Sequence, residues 1–128
     1  MATSPAFAAT PNVGSTPLSS SADSSYTAPS HAVTIFTPGA SGGKVDEVRF
    51  VGTGTTVAGN INIFLYDGTT YHLIDQILVP AITPSTSTPA WTFVKPYANL
   101  VVPASWTLVA TSIQASQLVN VSALGGSF

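Results

Sequence analysis

The sequence predicts an all-β protein: a jelly-roll-like two-sheet β-sandwich over residues 31–128, preceded by an extended N-terminal arm over residues 1–30. Three observations predict it. β-Branched residues and prolines interrupt every window long enough for a helix of three turns. Short alternating apolar runs, separated by Gly, Pro, Asn and Asp, recur from residue 31 onward. One tight hairpin is combined with several long crossing loops, which suits a jelly roll better than a meander. An immunoglobulin-like sandwich is the alternative, although it lacks the cysteine pair and a recognisable tryptophan spacing.

The first thirty residues hold eight Ser, four Thr, six Ala and four Pro (Pro5, Pro11, Pro17 and Pro29) with one charge, Asp23. Prolines at that spacing oppose helix and ladder pairing, and a Ser-rich stretch gains little by burial. Phe7, Val13, Leu18 and Tyr26 are its scattered apolar side chains, each suited to fill a pocket on a neighbouring protein. The opening residues have neither a cationic region nor an apolar one, so no secretory signal is expected.

Residues 32–37 (AVTIFT) read as a strand stopped by Pro38-Gly39. In residues 44–51 (KVDEVRFV), alternation puts Asp46, Val48 and Phe50 on one face and Val45, Glu47, Arg49 and Val51 on the other. Val48 and Phe50 should face the core, leaving Glu47 and Arg49 outward as a weak pair. Residues 52–60 carry three glycines and three threonines and read as a loop or strand ends. Residues 60–66 (NINIFLY) place Ile61, Ile63 and Leu65 inward. Asp67-Gly68 then predicts a type I′ hairpin into residues 70–79. The proline-rich residues 80–89 are long enough to cross between sheets. Residues 90–95 form a strand with Trp91 and Phe93 on one side, and a turn is expected within 96–103. Strands at 106–113 and 118–124 complete the pattern.

Composition narrows the function. Only eight of 128 residues carry a formal charge, which is 6% against about 25% in ordinary soluble domains. Such a surface repels other copies weakly, and being covered within an assembly is the simplest way to tolerate it. Three basic residues and a net charge of −2 cannot neutralise a phosphate backbone, so no nucleic-acid partner is expected. No apolar run approaches the about 20 residues that span a bilayer, so no membrane is expected either. Without cysteine, thiolate chemistry and disulfides are excluded.

Catalytic groups are equally sparse. His31 sits where the arm meets the domain. His72 and Asp75 lie an odd number of residues apart, so they cannot share a face of a regular strand unless a bulge intervenes. Asp46 and Glu47 are adjacent and point apart, Asp67 belongs to its turn, and the Gly-X-Gly at 52–54 lacks the rest of a dinucleotide fingerprint. No catalytic residue, cofactor or metal site is expected, and the chain reads as no enzyme. The Asn120-Val121-Ser122 triplet falls inside a strand and reads as a chance match to the glycosylation pattern. Trp91 and Trp106 are expected in the core. Tyr71 and Tyr97 remain as candidate platforms for a pyranose ring.

The segments VDEVRF, GTTVAGNINIFLYDG, ILVP, LVVPASWTL and NVSALGGSF, in that order, resemble those of a group of small proteins encoded in the virion-structure regions of tailed bacteriophages. The resemblance spans residues 32–128 and includes no catalytic motif. It implies a structural virion role of the capsid cement or decoration type: a small β protein on the capsid exterior, assembled in the host cytoplasm, with the major capsid protein and copies of itself as partners. The arm would add strand-like hydrogen bonds to a neighbour's sheet edge. A spike, fibre or tail module recognising a bacterial surface glycan through Tyr71 or Tyr97 is the alternative, and a tail-tube or baseplate fitting would share the structural class.

Overall fold

A computed structural model describes residues 10–128. Its eight strands are β1 (Thr10–Pro17), β2 (Val33–Phe36), β3 (Gly43–Gly52), β4 (Gly59–Tyr66), β5 (Tyr71–Val79), β6 (Thr92–Val102), β7 (Thr107–Ser112) and β8 (Val119–Ser127). There is no helix among the described residues.

Two antiparallel four-stranded sheets form, ordered β1-β8-β3-β6 and β2-β7-β4-β5. β1 pairs with β8, β2 with β7, β3 with β6 and β4 with β5, as if one long hairpin bent at the β4–β5 turn had been rolled up. That rolled double Greek key is the jelly roll expected from the sequence. The proline-rich residues 80–91 do cross from one sheet to the other, tied down where Thr56 Oγ1 donates to Pro80 O at 2.8 Å.

Alternation drives this packing. Ile61, Ile63, Ile77, Val79, Leu108 and Ala110 from one sheet meet Val45, Val48, Phe50, Val102, Val119, Val121 and Ala123 from the other, all buried. Each fully buried aliphatic or Phe side chain contributes about 1.5–3 kcal/mol of transfer free energy. On one flank β1 runs against β2 so tightly that a Cβ on Gly14 would collide with Ile35 O. A glycine is required there by close approach of two backbones.

Several expectations are corrected. The boundary at residue 30 moves, because residues 10–17 are an edge strand of the sandwich in register with all of β8 from Asn120 to Ser127. Leu18, expected as an arm anchor for a neighbour, is 8% exposed and belongs to this chain's own core. In β3 a register shift at Asp46 turns Val45 inward beside Val48 and Phe50, so the face assignment inverts before the bulge. β6 is one continuous strand through Pro96 instead of a strand and a turn. It lies at a sheet edge, where a missing N–H is tolerated.

The β4–β5 hairpin forms, but its loop is residues 67–70, with Tyr66 opposite Tyr71 and only Gly68 at positive φ (98°). The turn is therefore not the two-residue type I′ loop. Asp67 organises it instead, its Oδ1 accepting from the N–H groups of Thr69 (2.8 Å) and Thr70 (2.7 Å).

Candidate functional site

The charged side chains come first, because they are so few. Lys44 Nζ lies 3.1 Å from Asp46 Oδ1, Arg49 Nε 2.7 Å from Glu47 Oε2, and Lys95 Nζ 3.4 Å from Asp75 Oδ2. The two remaining carboxylates each face a histidine, Asp23 beside His31 (3.7 Å) and Asp67 beside His72 (3.2 Å). All eight formal charges thus have a partner inside the chain. Exposed pairs of this kind add little stability. The three cations are each taken up by a carboxylate, and the net charge of −2 stays on Asp23, which is buried, and Asp67.

Asp23 does more than pair. Its Oδ2 accepts from the N–H groups of Ser30 (2.7 Å) and His31 (2.8 Å), and its Oδ1 from Ser25 N–H (3.2 Å), closing the loop between β1 and β2 around one buried carboxylate. Burial pushes this carboxyl up. The backbone N–H groups of His31, Ser25 and Ser30, with the His31 ring, outweigh burial and hold it below the usual aspartate value of 3.8. Composition placed Asp23 in a featureless arm. The run of small polar residues after it is the only local hint of a turn built on its side chain.

The two sheets differ on their outer faces. Residues directly opposite in an antiparallel pair share a face. On the β2-β7-β4-β5 sheet, the outward residues of the two central strands, Phe64, Asn62, Val109 and Thr111, are all buried, whereas on the edge strand β5 the outward Leu73 and Leu78 (73% exposed) are open. The β1–β2 connection lies on this side, with Asp23 N–H donating to Ser112 O at 2.8 Å and the Asp23 charge close enough to raise the Tyr71 phenol. On the β1-β8-β3-β6 sheet, cross-strand rows run Val13–Leu124–Glu47–Pro96 and Ser15–Ser122–Arg49–Val94. Val13 is 62% exposed, Val101 51%, Val94 46% and Val51 44%, and nothing among the described residues covers them. Between them lie small polar groups bonded to one another: Ser15 Oγ to Ser122 Oγ at 2.9 Å, and Asn120 Nδ2 to Ser15 Oγ at 3.0 Å.

Of the expected arm anchors, Phe7 lies outside the described residues. Val13 is on this bare face, and Tyr26 is half-exposed on the β1–β2 connection. The three described anchors lie in different places: Val13 on the bare face, Leu18 in the core and Tyr26 on the connection.

The candidate sugar platforms are also separate. Tyr71 stacks on Tyr66 (centroids 4.1 Å, 20°) and meets Phe64 edge-on at 5.9 Å; burial is the main cause raising its phenol. Tyr97 is partly buried at the open flank between β5 and β6, where its hydroxyl donates to Asp75 Oδ2 at 2.8 Å; burial and that bond push its phenol well above 10. A register shift at Ile74 supplies the bulge that sets His72 and Asp75 on one face. They do not act together. His72 stacks on Trp106 (5.6 Å, 12°) and points to Asp67, whereas Asp75 holds Tyr97 and Lys95. Trp91 is buried against Phe50 and Phe93 as expected, while Trp106 is only partly buried.

Among the described residues no three His, Asp or Glu side chains are gathered as metal ligands, and no helix is long and apolar enough to cross a membrane. A shallow depression of about 370 Å³ beside Leu73, Ile74, Asp75 and Gln76 contains one carboxylate, already engaged with Tyr97 and Lys95. No family model, curated protein or solved structure matches the chain. What the arrangement offers is an open sheet face of valines, prolines, serines and the Lys44–Asp46 and Arg49–Glu47 ion pairs.

Proposed function

We propose that this chain is a structural virion protein, a capsid cement or decoration protein of a tailed bacteriophage, that binds between shell subunits and stabilises the shell. The observation that supports the reading is the bare β1-β8-β3-β6 face on a protein with only eight formal charges, whose three cations are each paired with a carboxylate of the same chain. Four strands about 4.8 Å apart and about 30 Å long, with their side chains, offer on the order of 600 Å². A standard interface takes about 800 Å² from each partner, so residues beside the sheet would have to contribute as well. Its partners are the major capsid protein and copies of itself, with neither nucleic acid nor membrane involved, and its place is the capsid exterior.

Of the expected arm anchors, Phe7 alone falls in residues 1–9, outside the described residues. Co-sedimentation with expanded capsids tests the reading. The full chain and a variant lacking residues 1–9 are compared with Val94→Ser/Val101→Ser. Loss of occupancy in the double-serine variant, with its fold intact, supports the reading, and wild-type occupancy in both variants overturns it.

The Tyr66–Tyr71 stack at the β4–β5 hairpin favours a second reading, a spike, fibre or tail module that holds a bacterial surface glycan. Glycan binding that disappears in Tyr71→Ala would establish it. Tyr97 fits this role less well, since its hydroxyl is already bonded to Asp75.

A further inference from the structure

We propose that β1 is an exchangeable strand: in an assembly it leaves its own β8 and pairs with the β8 of a second copy of this chain. Three observations carry this inference. The residues β1 turns toward the interior are Asn12, Gly14 and Thr16, so the strand buries no large apolar side chain of its own, and Val13 points outward. Only Leu18, just beyond it, reaches the core.

The strand is held instead by its ladder with β8, by the close backbone approach of Gly14 to Ile35 in β2 and by polar contacts. Asn12 Nδ2 donates to Thr37 O at 2.9 Å and to Ser127 Oγ at 3.0 Å, and Ser15 is bonded to Ser122 and Asn120. A second copy offers the same partners in the same register. Exchange therefore leaves the set of contacts unchanged, and concentration decides between the two pairings.

The third observation is where the chain divides. Residues 19–22 read Ser-Ser-Ser-Ala and are partly or fully exposed. Immediately after them, Asp23 is pinned to β7 by its N–H bond to Ser112 O and closed by its carboxylate cradle. The cradle stays with its own sheet, and the four residues before it are the hinge; the backbone bond from Ser116 N–H to Ser20 O at 2.9 Å is the contact the hinge must release or remake. Four extended residues reach about 13 Å, so the receiving copy must lie alongside. β1 and β8 are both strands of the bare sheet, so exchange would join neighbouring copies edge to edge along the face proposed to sit on the shell. The inference itself does not depend on the virion reading, because it is measured on the isolated protein.

The absence of cysteine makes the test direct. Ser15→Cys and Ser122→Cys chains are prepared separately, then unfolded together, refolded together over a range of concentrations and oxidised. The two positions face each other across β1–β8, within disulfide reach. Exchange predicts a disulfide-linked dimer whose yield rises with concentration and exceeds several-fold that of Ser15→Cys mixed with Ser87→Cys, a position in the exposed connection before β6. The double variant Ser15→Cys/Ser122→Cys, oxidised dilute, shows that the two sites can bridge; Val13→Cys with Leu124→Cys serves in the same way if they cannot. Bridging within the double variant but no excess between mixed single variants overturns the proposal, as does a 13.1 kDa mass in solution at every concentration.

Discussion

The two sheets of this sandwich solve the same problem in different ways. Each has an outward face, and each outward face carries apolar side chains. On the β2-β7-β4-β5 sheet, the centre is closed: Phe64 is fully buried and Val109 is 3% exposed, on the side where the chain's own β1–β2 connection lies, and only the edge strand β5 leaves Leu73 and Leu78 open. On the β1-β8-β3-β6 sheet, Val13, Val51, Val94 and Val101 stay open. A protein with eight charges cannot cover both faces with charged side chains. The centre of one face is covered from within the chain, and the other face is open across its strands.

The comparison breaks most visibly at Phe64. Phe64→Ala should lose about 3–5 kcal/mol in denaturant unfolding, the range for a large buried aromatic, although the side chain lies outside the main core between the sheets. A loss below about 1 kcal/mol would mean that this face is not truly covered. Val94→Ser and Val101→Ser on the opposite face should change stability by no more than about 0.5 kcal/mol while lowering retention on the particle.

Next in size is the closure of the β1–β2 connection. Asp23→Ala removes a buried carboxylate that accepts three backbone N–H groups, and should cost about 1.5–3 kcal/mol. The pH dependence has a definite sign. An unfolded aspartate titrates near 3.9, and the folded carboxyl is held lower, so the folded state binds fewer protons between the two values. The stability Asp23 supplies is complete above about pH 4 and is lost as pH falls through the folded value. Asp67 is also held below 3.8, mainly by the N–H groups of Thr70 and Thr69, and acts in the same direction. Urea unfolding of wild type and Asp23→Asn across the acid range isolates the Asp23 part. The two curves should converge as the wild-type carboxyl protonates, and parallel curves throughout would remove Asp23 from the account.

The smallest expected effect is that of salt. If the bare face binds without unpaired charges, raising ionic strength from about 0.1 M to about 1 M, which shortens the screening length from about 10 Å to about 3 Å, should hardly change retention. Release by moderate salt would show that a charge-steered contact had been overlooked.

How much of this was legible in the residues follows from what each element buries. β4 and β7 bury their inward aliphatic residues, so period-two alternation exposed them, and the β4–β5 hairpin was marked by Asp67-Gly68. β1 was not legible, because its inward positions are Asn12, Gly14 and Thr16, and a strand held by backbone bonds and small polar contacts resembles a polar tail. The bulges at Asp46 and Ile74 were equally hidden. Each moves one residue across the pleat, with nothing local to announce it, and thereby turns Val45 inward and sets Asp75 on the same side as His72. Pro96 suggested a break, whereas an edge strand can accommodate it. For the candidate site, the scarcity of charge was plain from composition. That the cations pair internally, and that the centre of one sheet face is covered while the other face is bare, depends on contacts between residues distant in sequence, such as Asp75 with Lys95 and Val13 beside Leu124.

The central claim is that the bare face is completed by other protein, and a cryo-EM reconstruction of the particle carrying this chain tests it most directly. The account predicts Val13, Val51, Val94 and Val101 buried against a neighbouring chain, with Phe64 still covered from within. A particle in which those valines face solvent, or one from which the protein is absent, would contradict it.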